Sequence, residues 1–127
     1  MTLVDTSVWI RGFRSQEPYR TELDRLLASK SIVGHPLVYG ELMIGDSGGR
    51  KAFLEEYTNS PWCSMIDHEE VVMLVEARRL NGRGISWIDA HLLASAMADR
   101  ITLWTADTSL AATAEQLGVA HKGPRIH

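Results

Sequence analysis

The chain has 127 residues, of which 45% are hydrophobic and 23% charged, the composition of a globular protein and not of a disordered one. That length suits a single domain over residues 1–127 with a core of its own. A formal net charge of −3 excludes a non-specific nucleic-acid coat held by bulk positive charge, but not a protein that grips a polyanion through a few local arginines.

No apolar run reaches membrane-spanning length, and no basic segment followed by an apolar stretch marks a secretory leader, so no membrane role is expected. The single cysteine, Cys63, rules out an internal disulfide or a thiolate metal cluster and makes a reducing cytoplasm the expected setting.

In chain order, Thr2–Val4 reads as a short buried strand, followed by a turn or short helix over Thr6–Ile10 and a loop over Gly12–Glu17. "PYRTELDRLLASK" is helical, with Leu23, Leu26 and Leu27 on one face and Pro18 in its first turn. Ser31–Gly34 is a second strand. Pro36 then opens the apolar helix "PLVYGELMIG", closed by Gly45. Gly40 inside that helix costs roughly 1 kcal/mol relative to Ala, which suggests a close backbone approach there.

Lys51–Tyr57 is a further helix, broken by Asn59-Ser60-Pro61, and "WCSMID" is a strand candidate. Asp67 and Glu70 have capping-box spacing for a helix from His68 to Leu80, which Asn81-Gly82 ends. A helix over Ser86–Ala98, a strand over Ile101–Trp104 and a helix over Thr108–Leu117 complete the chain. Short apolar strands alternating with amphipathic helices define an α/β layer protein with a parallel sheet.

Four acids stand out against this frame. Asp5 follows the strand "TLV" and Asp107 follows "ITLWTA", on the side where open parallel sheets bind ligands. Each is also a favoured N-cap for the helix that follows. Glu41 lies among Leu37, Val38, Leu42, Met43 and Ile44, where an unpaired carboxylate is costly unless a salt bridge or an exposed helix edge relieves it. Asp89 has capping-box spacing to Ser86 and sits at the border of the buried face of its helix. Four carboxylates at one end of a sheet would raise each other's pKa values. A divalent cation such as Mg²⁺ removes that conflict, taking carboxylate, water and phosphate oxygens and aligning a phosphodiester for attack by water.

The segments "LVDTSVWI", "HPLVYGELMIG", "GRGISWIDAHLLASA" and "LWTADTSL", in that order from Leu3 to about Val119, resemble the successive motifs of PIN-domain ribonucleases, and most nearly the VapC-like toxins of type II toxin–antitoxin systems. The resemblance implies a three-layer α/β/α sandwich with a mostly parallel central sheet. It implies that Asp5, Glu41, Asp89 and Asp107 are the catalytic, metal-binding acids. Mg²⁺, or Mn²⁺ in its place, would support RNA cleavage by activated water, leaving a 5′ phosphate and a 3′ hydroxyl. It further implies a homodimer held by a cognate antitoxin protein, with operator DNA bound only through that complex, and a structured RNA such as transfer RNA as target. Where some PIN domains carry a further acid, this chain has Ser109; Thr6 and Ser109 are candidates for hydrogen bonds to water, phosphate or a neighbouring carboxylate, or for helix-cap roles.

Arg78, Arg79 and Arg83 in "EARRLNGRG", with Arg11 and Arg14 after the first acid, are candidates for a phosphate-contacting rim or for ordinary solvated surface. The basic tail "HKGPRIH" is too short to assign to RNA. Trp87 and Trp104 read as core or wall residues, and Trp9 with Leu23–Leu27 as a dimer or antitoxin surface. Neither His35 nor His91 is needed as a general base. Two other classes compete: an aspartyl phosphatase, which would place a second acid where Ser7 stands, and a non-catalytic RNA- or protein-binding module of the same fold. "GRG" supplies no nucleotide-binding loop.

Overall fold

The computed structural model describes residues 1–123, so the last four residues of the basic tail lie outside the described residues. The elements are β1 (Thr2–Val4), α1 (Thr6–Phe13), α2 (Tyr19–Ala28), β2 (Ile32–Val33), α3 (Pro36–Ile44), α4 (Lys51–Thr58), α5 (His68–Arg78), α6 (Trp87–Asp99), β3 (Thr102–Trp104) and α7 (Thr108–Gln116). β1 is central, in the order β2-β1-β3, and both pairings are parallel, with Leu3 opposite Val33 and Leu103. Helices flank the sheet as an α/β/α sandwich. Leu3, Val8, Val38, Leu92, Leu93, Leu103 and Leu110 are wholly or almost wholly buried between the layers.

Two parallel bridges extend the sheet at its edges, Gly34 to Trp62 and Leu103 to Ala120. The "WCSMID" segment therefore contributes one bridge and no strand. Parallel strands need long crossovers, and here helices supply them, so all three strands end on the same side of the molecule.

Several local expectations change. α1 runs through Gly12 to Phe13, because a Cβ at Gly12 would lie 2.4 Å from Leu23 Cδ1, and the bare backbone lets α1 press onto α2. Gly40 has nothing within 4 Å of where a Cβ would stand, so the close approach belongs to Gly12 instead. α3 is less enclosed than its composition suggests, since Met43 is 51% and Ile44 86% exposed.

Asp67 is the N-cap of α5 without a side-chain cap bond. Asp67 and Glu70 are both exposed acids and like charges, so the first amides of α5 are left open to solvent. α5 ends at Arg78, with Arg79 in the left-handed region at φ 53°. Leu27 is exposed although Leu23 and Leu26 are buried, and Trp87 is exposed whereas Trp104 is part of the core.

Candidate active site

β1 delivers Asp5 to the sheet's carboxyl end, where its amide donates to the Trp104 carbonyl at 2.8 Å and its side chain is 7% exposed. Asp5 occupies the N-cap position of α1 but makes no side-chain cap bond. Its Oδ2 accepts instead from Ser7 Oγ at 2.7 Å and from Thr105 Oγ1 at 2.8 Å. Each hydroxyl in turn accepts a backbone N–H of the β3–α7 connection: Ser7 from Ala106 at 3.0 Å, Thr105 from Asp107 at 3.1 Å. Hydrogen bonds to an ionised carboxylate are roughly twice as strong as neutral ones, so this pair fastens the connection to the acid.

Asp107 caps α7, its Oδ1 accepting from the Ser109 and Leu110 amides at 2.8 and 3.1 Å. Asp89 and Ser86 form a reciprocal capping box at the start of α6. Ser86 N–H donates to Asp89 Oδ2 at 2.9 Å, and Asp89 N–H to Ser86 Oγ at 3.0 Å. Burial raises the pKa of Asp89, the bonds from Ser86 oppose that, and the charges of Asp5 and Asp107 raise it further. Those three acids thus share one electrostatic neighbourhood. Glu41, half-buried on α3, joins it through Thr6, whose hydroxyl donates to Glu41 Oε1 at 2.8 Å next to Asp5 in the chain.

All four carboxylates divide their oxygens in the same way. One oxygen of each takes protein hydrogen bonds, and among the described residues the other takes none. The donor set consists of hard oxygens, which fits Mg²⁺ or Mn²⁺. Among the described residues no three His, Cys, Asp or Glu side chains are already gathered as a cage for one ion. Mg²⁺ does not require one, because it keeps several waters and is commonly bound by one or two carboxylates together with substrate phosphate.

Ser109 donates its backbone amide to Asp107, while its Oγ faces Gly84. Arg78, Arg79 and Arg83 are all exposed, and Arg83 donates from Nε to the Arg79 carbonyl at 3.0 Å. Of the two arginines after α1's first turns, Arg11 lies over the Tyr19 ring, 5.5 Å from its centroid, and Arg14 is exposed. His35 is fully buried: its Nδ1 accepts from the Leu37 amide, and its Nε2 meets Ser95 Oγ at 3.1 Å.

Sequence reasoning missed Ser7 and Thr105. Their signal is spacing, since each hydroxyl lies two residues from an acid, as Asp5-x-Ser7 and Thr105-x-Asp107, a separation at which short polar side chains meet local backbone.

Away from the acids, a cavity of about 710 Å³ opens between α1, α2 and α4, lined by Trp9, Leu26, Leu27, Ile32, Phe53 and Tyr57 among others. Trp9 is 3% exposed, and among the described residues its indole N–H has no partner.

A short parallel sheet with acids beyond its strand ends and on the two helices beside them defines a class, and the chain belongs to the PIN-domain family: the PIN domain model matches residues 2–116. Among individual proteins, it is similar to Ribonuclease VapC32 of Mycobacterium tuberculosis, in both strain ATCC 25618 / H37Rv and strain CDC 1551 / Oshkosh. Each is 40% identical over 121 residues, which cover 94% of this chain and 95% of the relative. The crystal structure of PAE2754 from Pyrobaculum aerophilum has the same fold, with a TM-score of 0.56 at 18% identity over 91% of this chain and 90% of that one.

Proposed function

We propose that this protein is a Mg²⁺- or Mn²⁺-dependent endoribonuclease and the toxin of a toxin–antitoxin pair. The observation that carries the reading is the division of labour within the four carboxylates: each is anchored by one oxygen and offers the other. One oxygen left over is ordinary for an acid that accepts a local amide, as Asp46 does. What sets these four apart is that they lie beyond or beside the same strand ends, with Asp5 and Asp107 both acting on the charge of Asp89 and Thr6 joining Glu41 to Asp5's turn. The 40% identity to proteins named as ribonucleases supports the same reading.

The chain's own residues do the positioning. Ser7 and Thr105 fix Asp5 and, through the Ala106 and Asp107 amides, set the spacing of Asp5 and Asp107. The Ser86 box orients Asp89, and Thr6 holds Glu41. Bound Mg²⁺ would supply alignment of the scissile phosphate, a lowered pKa for the attacking water and compensation for charge growing on phosphate oxygens. Without a cation the same carboxylates repel an anionic substrate.

The apolar cavity at Trp9 suits the cognate antitoxin. Trp9 and Leu26 are already buried and form its floor, so a helix or extended segment of that partner would cover the exposed Leu27 and the half-buried Phe53. A homodimer, and operator DNA bound only as the antitoxin complex, belong to the same proposal, with transfer RNA or another structured RNA as substrate.

The test is cleavage of total cellular RNA by the purified chain, with ends mapped by sequencing. Cleavage at defined sites in Mg²⁺ or Mn²⁺ is expected, stopped by chelation and lost in a folded Asp5→Asn variant. Unimpaired cleavage by that variant would overturn the metal-site mechanism. No cleavage of any cellular RNA by wild type would favour the non-catalytic binding module.

A further inference from the structure

The connection between α5 and α6 is strapped along α7 at two points. Arg83 Nη1 donates to Gln116 Oε1 in the last turn of α7, while Nε of the same guanidinium holds the Arg79 carbonyl at 3.0 Å. In the first turn of α7, Gly84 stands against Ser109, so near that a Cβ would lie 3.1 Å from Ser109 Oγ. The backbone is shaped for this path, with Arg79, Gly82 and Gly84 at φ 53°, 74° and 77°. Two residues after Gly84 the strap ends in Ser86, whose amide orients Asp89, and Asp107 caps the helix along which the strap runs.

Asp89 and Asp107 thus stand at the N-termini of α6 and α7, where like charges repel. No ion pair offsets that repulsion between α6 and α7 among the described residues. Among the described residues the one side-chain hydrogen bond that joins the α5–α6 connection to α7 is that of Arg83 to Gln116. We infer that Arg83 is a positioning residue of the active site, bracing the α5–α6 connection against α7 through Gln116 and thereby holding Asp89 opposite Asp107. This rests on the nuclease reading above.

A phosphate-contacting role for the same guanidinium predicts the opposite behaviour, and the two separate cleanly. Lysine keeps the charge but cannot fork between Gln116 and the Arg79 carbonyl. Gln116 is uncharged and at the far end of α7 from Asp107. The experiment measures steady-state cleavage of a mapped RNA by Arg83→Lys, Arg83→Ala, Gln116→Ala and the Arg83→Lys/Gln116→Ala double variant, across Mg²⁺ and salt concentrations.

The brace predicts a fall in kcat of about tenfold in each, of the order that small misplacements of reacting groups produce. KM for RNA should change by less than about twofold and the salt slope should hold, since no phosphate contact is lost. Half-maximal activity should need more Mg²⁺, and the double variant should be no worse than either single one. Gln116→Glu, which restores an acceptor, should recover most of the activity, and this separates lost bracing from lost folding.

Wild-type behaviour of Arg83→Lys or Gln116→Ala would overturn the brace. So would a raised KM and a shallower salt slope in Arg83→Ala alone, which would assign Arg83 to RNA. Should wild type cleave no RNA, the nuclease reading fails by itself, and the brace is then judged by hydrogen exchange at the Ser86 amide. Faster exchange in Arg83→Lys and Gln116→Ala alike supports it, and unchanged exchange overturns it.

Discussion

His35 makes the stability of the helix carrying Glu41 sensitive to acid. Its ring is fully buried, and its Nδ1 accepts the Leu37 N–H as the N-cap of α3. Nε2 must then carry the proton and donate to Ser95 Oγ, which donates onward to the Ser64 carbonyl at 2.6 Å. A second proton would have to enter at Nδ1, against the Leu37 N–H. Burial, with a smaller contribution from His91, lowers the pKa from 6.5 to about 4.

The unfolded chain therefore takes up a proton at His35 that the folded chain refuses between those values. This contribution to stability is complete above pH 6.5, falls as pH drops through the window, and is gone below pH 4. With 1.36 kcal/mol per pH unit, the full contribution is about 3 kcal/mol, of which about 2 kcal/mol is lost by pH 5. His35→Asn keeps an N-cap acceptor that does not titrate. Urea unfolding of both proteins from pH 7.5 to 4.5 isolates the histidine from the carboxylates, which titrate in both. Wild type should lose about 2 kcal/mol more than the variant by pH 5. Parallel curves, or an NMR titration that places His35 near 6.5 in the folded protein, would refute the argument.

Thr105→Val removes one of the two hydroxyls on Asp5 at nearly constant volume, so cleavage should fall at least about tenfold while thermal melts shift by only a few degrees. An unchanged rate would show that Ser7 suffices. Gly12→Ala sets a methyl 2.4 Å from Leu23 Cδ1, and overpacking of about 1–3 kcal/mol should outweigh the helix-propensity gain of roughly 1 kcal/mol, which urea denaturation will register as a net loss. Leu27→Asp places a charge on an exposed wall of the Trp9 cavity, and should release a co-expressed antitoxin in pull-downs without slowing RNA cleavage.

The fold was legible where information is local. The strand "TLV", the Pro36 start of α3 and the Ser86/Asp89 box depend on residues within four positions of one another, and each forms where the pattern places it. Asp67/Glu70 has the same spacing and forms no box: it pairs two acids, where the Ser86/Asp89 box pairs a neutral hydroxyl with one. What the sequence hid is contact across distance. Gly12 meets Leu23, Thr105 meets Asp5, Arg83 meets Gln116, and the Cβ-free face of Gly12 could not be told from the empty one at Gly40.

The same distinction bears on the ambiguity that the acids carry in sequence, between capping a helix and serving a site. For Asp89 and Asp107 the two roles use different oxygens, so a cap bond at one leaves the other available. Capping does not account for Asp5, which sits at the N-cap of α1 without a side-chain cap bond. It does not account for Glu41 either, which lies in mid-helix and is met by Thr6. A nearly buried carboxylate that forgoes the adjacent helix amides for two hydroxyls, each already tied to the β3–α7 connection, is held for its position relative to Asp107. Helix stability has no use for that spacing; under the nuclease function proposed above, a cation or a phosphate shared between the two acids would.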